Sequence, residues 1–163
     1  MAFFLSIYGV GILFTIVHIL LLAPAERTKQ KLIEIILLYQ IVFSLGITSL
    51  VAFGGLSVMP AEIADFLDWP YSPFEQELAN VNLAFGILGL LSICYRGLFW
   101  MATILGFSIW ILADGFHHIY EYYIYGNDSL GNIGVPLITD FAVPILLLIL
   151  LCLYRKHQSV NNP

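Results

Sequence analysis

Apolar residues run for about twenty positions at a time along this chain, and polar residues collect in the short gaps between the runs. Five stretches, 2–23, 32–54, 76–95, 98–123 and 136–154, are long enough to cross a bilayer core of about 30 Å as helices rising about 1.5 Å per residue. The pattern predicts an all-α polytopic membrane protein of five transmembrane helices, forming a single domain over residues 1–163. Between the second and third stretches, Ile63, Phe66 and Leu67 alternate at helical spacing with Glu62, Asp65 and Asp68. Pro60 and Pro70 bound this segment, which predicts a short interfacial helix. A Gly- and Asn-rich segment, YGNDSLGNIGVP, predicts an ordered loop before the last span.

Composition agrees: with a mean hydropathy of +0.92 and only 10% charged residues, the chain lies far from soluble domains. Charge then orients it. Arg27, Lys29 and Lys31 follow the first span, Arg96 follows the third, and Arg155 with Lys156 follow the fifth. Cations are retained on the cytoplasmic side, so the expected arrangement has the N-terminus outside and the C-terminus cytoplasmic in the cell inner (plasma) membrane. Ala23-Pro24-Ala25 imitates a cleavage site, but the long apolar run and its basic flank read as a retained span. The outer connections carry Glu62, Asp65, Asp68, Glu75 and Asp128, an acidic balance that excludes nucleic acid as a partner. The expected partner is the lipid bilayer, with a homo-oligomer or a larger membrane complex as further possibilities. Cys94 and Cys152 form no CxxC pair and read as small apolar residues.

One stretch breaks the apolar pattern. In ADGFHHIYEYYIYG, Asp114, His117, His118 and Glu121 occupy an arc of about 100° on one helix face. Glu77 and Asn80, three apart at the start of the third span, and Asp140, one turn into the fifth, lie at the same expected depth. Ionised groups facing lipid cost several kcal/mol, so these side chains are expected to face one another in one outer pocket, with Asn132 from the adjoining loop. Glu77, Asp114, His117, His118, Glu121 and Asp140 are candidate ligands of a divalent metal, zinc, iron or manganese, because carboxylate and neutral imidazole are the ligands those ions share. Without a cation, one or more of the carboxylates would be protonated. Ala102 and Gly106 would allow a close helix approach, and Asn82 is expected to bond a neighbouring helix. His18 reads as a packing residue.

The segments PFEQELANVNLAFGILGLLS, FWMATILGFSIWIL, HHIYE and GNDSLGNIGVPLITDFAVP resemble a family of small bacterial integral membrane proteins of unknown function. Its pattern of E-x-x-N, G-F-W-x-A-T-x-x-G, G-H-I, G-N-x-x-x-G-N-x-G and D-x-x-x-P falls here on Glu77 and Asn80, Phe99 to Gly106, His118, Gly126 to Gly134, and Asp140 to Pro144. Leu98 and His117 depart from it, each standing where glycine is usual. The resemblance implies no reaction. The residues themselves leave three readings open: a metal-binding protein, which could be a membrane enzyme acting on a lipophilic substrate; a transporter of protons, cations or small solutes; and an accessory subunit of a larger complex.

Overall fold

The computed structural model describes the backbone of residues 2–161 and the side chains of residues 5–157. It is all helical: α1 (Ala2–Leu21), a 3₁₀ turn at Pro24–Glu26, α2 (Lys29–Val58), α3 (Pro60–Leu67), α4 (Phe74–Leu91), α5 (Leu98–Tyr125) and α6 (Val135–Asn161). Each boundary has a local cause. Thr28 caps α2 by accepting from the Lys31 N–H (3.3 Å), Pro60 opens α3 where a missing N–H costs nothing, and Gly126 ends α5 at φ 71°.

The central element is α2, which packs against α1, α4 and α6. Within it, Gln40–Ile47 is wound as a π-helix rather than an α-helix. Side-chain hydroxyls support the wider turn: Ser44 Oγ donates to Gln40 Oε1 (2.8 Å) and Thr48 Oγ1 to the Ser44 carbonyl (2.8 Å). The same segment contains Gly46, where α4 comes closest. A Cβ on Gly89 would lie 2.4 Å from the Gly46 Cα, and one on Gly86 would lie 2.5 Å from Leu50 Cδ2. Backbone contact therefore sets the rotation of α4 about its axis. Ala102 and Gly106 are exposed instead, so the close approach runs through Gly46, Gly86 and Gly89.

The bundle has two unlike halves. Ile33, Leu37, Ile41 and Leu45 of α2 meet Trp100, Ile104 and Phe107 of α5 and Leu147, Leu151 and Tyr154 of α6 in one apolar core. That half ends in the basic residues: Arg96 pairs with Glu34 (2.9 Å) and lies over the Trp100 ring (4.9 Å), and Lys31 also reaches Glu34 (3.6 Å). The other half contains α3, the 126–134 loop and nearly all the polar side chains discussed below.

Three helices, α2, α5 and α6, are long and apolar enough to cross a membrane. The described apolar part of α1, Leu5–Leu21, is shorter, and α4 opens with Glu75-Gln76-Glu77, which shortens its apolar run. Outward-facing residues are largely apolar, including Leu13, Leu20, Ile109, Phe116 and Ile138. The charge-rich segment after the second span forms the expected short helix, with Ala64 as its buried contact.

Packing at Gly89 sets an expected outcome. Gly89→Ala forces backbone apart and should destabilise the fold by about 1–3 kcal/mol. Gly54→Ala, with nothing within 4 Å of its Cβ, should leave the melting temperature of the detergent-solubilised protein unchanged.

Candidate functional site

The last third of α5 delivers Asp114, His117, His118 and Glu121, but neighbouring elements divide them. His118 is buried (6% exposed) against α6 and the 126–134 loop. His117 is exposed and reaches Glu121 (3.7 Å) on the side of α3 and α4. Asp114 is half-buried on the same helix, about one turn before His117 and His118. The structure does not bring Glu77 and Asn80 to this group. The buried face of α4 is Ala79, Asn82, Gly86 and Gly89, which turns Glu77 and Asn80 to the exposed side. There Asn80 Oδ1 accepts from Gln76 Nε2 (3.3 Å). Asn82 bonds its own helix, donating to the Leu78 carbonyl (3.0 Å), rather than a neighbour. His18 meets the Tyr39 hydroxyl (3.2 Å), a contact between α1 and α2.

Asn132, fully buried, organises the site. Its Nδ2 donates to two carbonyls, of His118 (3.1 Å) and Asn127 (2.8 Å), so both amide hydrogens are used and Oδ1 can only accept. That oxygen lies 2.7 Å from His118 Nδ1, which must therefore carry a hydrogen. His118 then turns Nε2 toward Asp140 Oδ2 at 3.5 Å. A neutral imidazole with its hydrogen on Nδ1 offers a lone pair there, and an ionised carboxylate offers another. Two acceptors facing each other in a buried site are unfavourable, so a proton belongs to the pair.

Local sequence builds this geometry. The loop is pinned to α3 by Asn127 Nδ2 (2.8 Å) and Ser129 Oγ (3.2 Å), both donating to the Leu67 carbonyl. Gly131 backs directly onto Phe66, leaving no space for a Cβ. Gly115 lets α6 approach, since a Cβ there would lie 2.9 Å from the Phe141 ring and 3.2 Å from Asp140 Cβ. Trp69, just after α3, stacks on His118 (5.5 Å between rings, 18°) and meets His117 edge-on (5.4 Å). Its indole nitrogen is buried with no hydrogen-bond partner among the described residues.

Asp140 also opens onto a cavity of about 200 Å³ inside the bundle. Its polar wall is Tyr8, Ser44, Thr48, Ser49, Asn82 and Thr139. Toward the basic half the cavity ends where the apolar core begins, at Phe107 and Val143. A second cavity of about 350 Å³ lies between α3, α4 and α5, with Trp69, His117 and Glu121 in its wall. Among the described residues, no three His, Cys, Asp or Glu side chains gather closely enough to hold one metal ion. The expected zinc, iron or manganese site therefore gains no support from this arrangement.

A family model described as a family of unknown function, DUF6790, matches residues 1–160. The chain belongs to this family. Membership in DUF6790 covers essentially the whole chain and assigns no activity. Comparison with curated proteins and with solved structures found no match.

The DUF6790 chain held further site residues that patterning did not single out. Ser44 and Thr48 stand four apart on α2, a signal that could have marked a polar face in an apolar helix. Tyr8 and Trp69 carried no such signal, because both join the site only through tertiary packing. Asn132→Leu removes three hydrogen bonds and leaves His118 Nδ1 and the Asn127 carbonyl unpaired, at about 1–3 kcal/mol for each stranded group, while the His118 carbonyl keeps its place in the helix. The expected result is a lower melting temperature, with faster amide exchange confined to residues 126–134.

Proposed function

We propose that this protein spans the plasma membrane five times, with α1 and α4 as the further spans, and moves protons or a small cation across it. His118 and Asp140 are its proton-binding pair. The observation that carries this reading is the fixed tautomer of His118: Asn132 holds the hydrogen on Nδ1, and Nε2 faces a carboxylate at 3.5 Å. A site of this kind takes up one proton and releases it when the pair is disturbed.

Three features support movement rather than static packing. Intramembrane ionisable groups are costly and mark ion or proton pathways. Asp140 adjoins a cavity instead of closed packing; the wall is mainly apolar, and the hydroxyls of Thr48 and Ser44 with the Gln40 amide place polar groups along α2 toward the basic half. The π-helical segment Gln40–Ile47 lies where cavity meets core, and a helix wound with one residue too many can shift its register there. In the described conformation Ile41, Leu45, Phe107 and Leu147 close the way, so transfer requires α2 to move.

In proteoliposomes enclosing a pH-sensitive dye, a membrane potential should drive acidification with the native chain. With Asp140→Asn the rate should fall to that of empty liposomes. Equal rates for the two proteins, with both still folded, would end the proposal. Orientation is tested separately in a background lacking Cys94 and Cys152. A membrane-impermeant maleimide should label Asp128→Cys on intact cells, and Lys29→Cys only after lysis.

A further inference from the structure

We propose that the second cavity, an open pocket between α3, α4, α5 and the end of α2, binds a small organic ammonium ion carried on an apolar body. This site is separate from the proton-binding pair and does not depend on it. The two share one wall, the indole of Trp69, which stacks on His118 and also lines this cavity.

Size and lining come first. At about 350 Å³ the cavity falls within the range of small-molecule sites, about 300–1,000 Å³. Leu56, Ile63, Leu67 and Leu78 make most of its wall apolar, suited to an alkyl or aryl group. Against this wall stand two carboxylates, Glu75 and Glu121. Glu75 Oε2 is held by the Ser72 N–H and hydroxyl (3.0 Å each), which fixes the direction of that carboxylate. The Glu121 side chain is only 17% exposed, and His117 lies 3.7 Å from it. A carboxylate so withdrawn from water gains from a cation beside it.

Charge then selects the occupant. All six Lys and Arg residues belong to the opposite end of the bundle, while Glu62, Asp65, Asp68, Glu75, Glu121 and Asp128 are at this end. An anion would be repelled, and the phosphate of a zwitterionic lipid would meet the same acidic field. A neutral apolar molecule would fill the volume and add no positive charge beside the carboxylates, which have only Ser72 and His117 as partners. An ammonium group satisfies them, and an aromatic ring in the wall attracts such a cation further.

The test is calorimetric titration of 4-phenylbutylammonium into the full chain in phosphatidylcholine nanodiscs, with empty nanodiscs as blank. One saturable site is expected, and 4-phenylbutanol, of the same shape without the charge, should bind about ten-fold more weakly or worse. Glu75→Gln/Glu121→Gln should weaken ammonium binding by a similar factor of about ten. Asp140→Asn should leave it unchanged, and so should phosphatidylethanolamine in the disc. Absence of saturable binding, or equal binding of the alcohol, overturns the proposal on the native chain alone. Loss of binding in Asp140→Asn would place the amine at the proton pair instead, and loss in phosphatidylethanolamine discs would assign the cavity to a lipid headgroup. Either result overturns the separate site.

Discussion

The hydrogen bond between His118 Nδ1 and Asn132 Oδ1 is the constraint on which the functional half of this bundle depends. In water it would matter little, because either partner could exchange it for solvent. Inside an apolar bundle no exchange is available, and each polar atom must find a partner within the chain. Asn132 meets that demand completely: two donors go to carbonyls, and the remaining acceptor takes the histidine hydrogen. The imidazole thereby loses its choice of tautomer. A loop residue, through the ring it holds, decides what Asp140 encounters on a different helix.

The two halves of the bundle divide the work of folding from the capacity for chemistry. Side chains at i, i+4 spacing along α2, from Ile33 through Leu37 and Ile41 to Leu45, pack with α5 and α6 and close the basic half. Around and past Leu45 the same helix presents Ser44, Thr48 and Ser49 to a cavity. The change falls in the π-helical segment, where the extra residue rotates the downstream face relative to the upstream one. The next positions at that spacing are Thr48 and Ser49, so the stripe itself turns polar where the cavity begins.

Trp69 ties the short helix α3 to the buried surroundings of His118. It follows α3 directly, stacks on His118, and faces the second cavity with His117 and Glu121. The 126–134 loop is anchored to the same helix end through the Leu67 carbonyl. Displacement of α3 would therefore disturb both the stacking on His118 and the loop that fixes its tautomer. The surroundings of His118 and the second cavity thus share one indole and one loop anchor.

Much of this was legible in the chain alone, and the limit has a definite physical origin. Hydropathy runs determined the helices, the basic gaps determined which ends lie together, and the polar residues set into apolar helices determined that His118 on α5 and Asp140 on α6 needed partners. These are local quantities, set by burial cost and helical period. Tertiary structure alone decided which partners they met. The rotation of α4 follows from backbone contact at Gly46 and Gly89, more than forty residues apart, and it turns Glu75 inward toward the second cavity and Glu77 outward. Likewise, residue spacing does not announce the π-helical turn in α2, and Tyr8 reaches the cavity only because α1 packs there. Helix rotation is fixed by steric contacts between distant segments, so no periodicity within one segment can specify it.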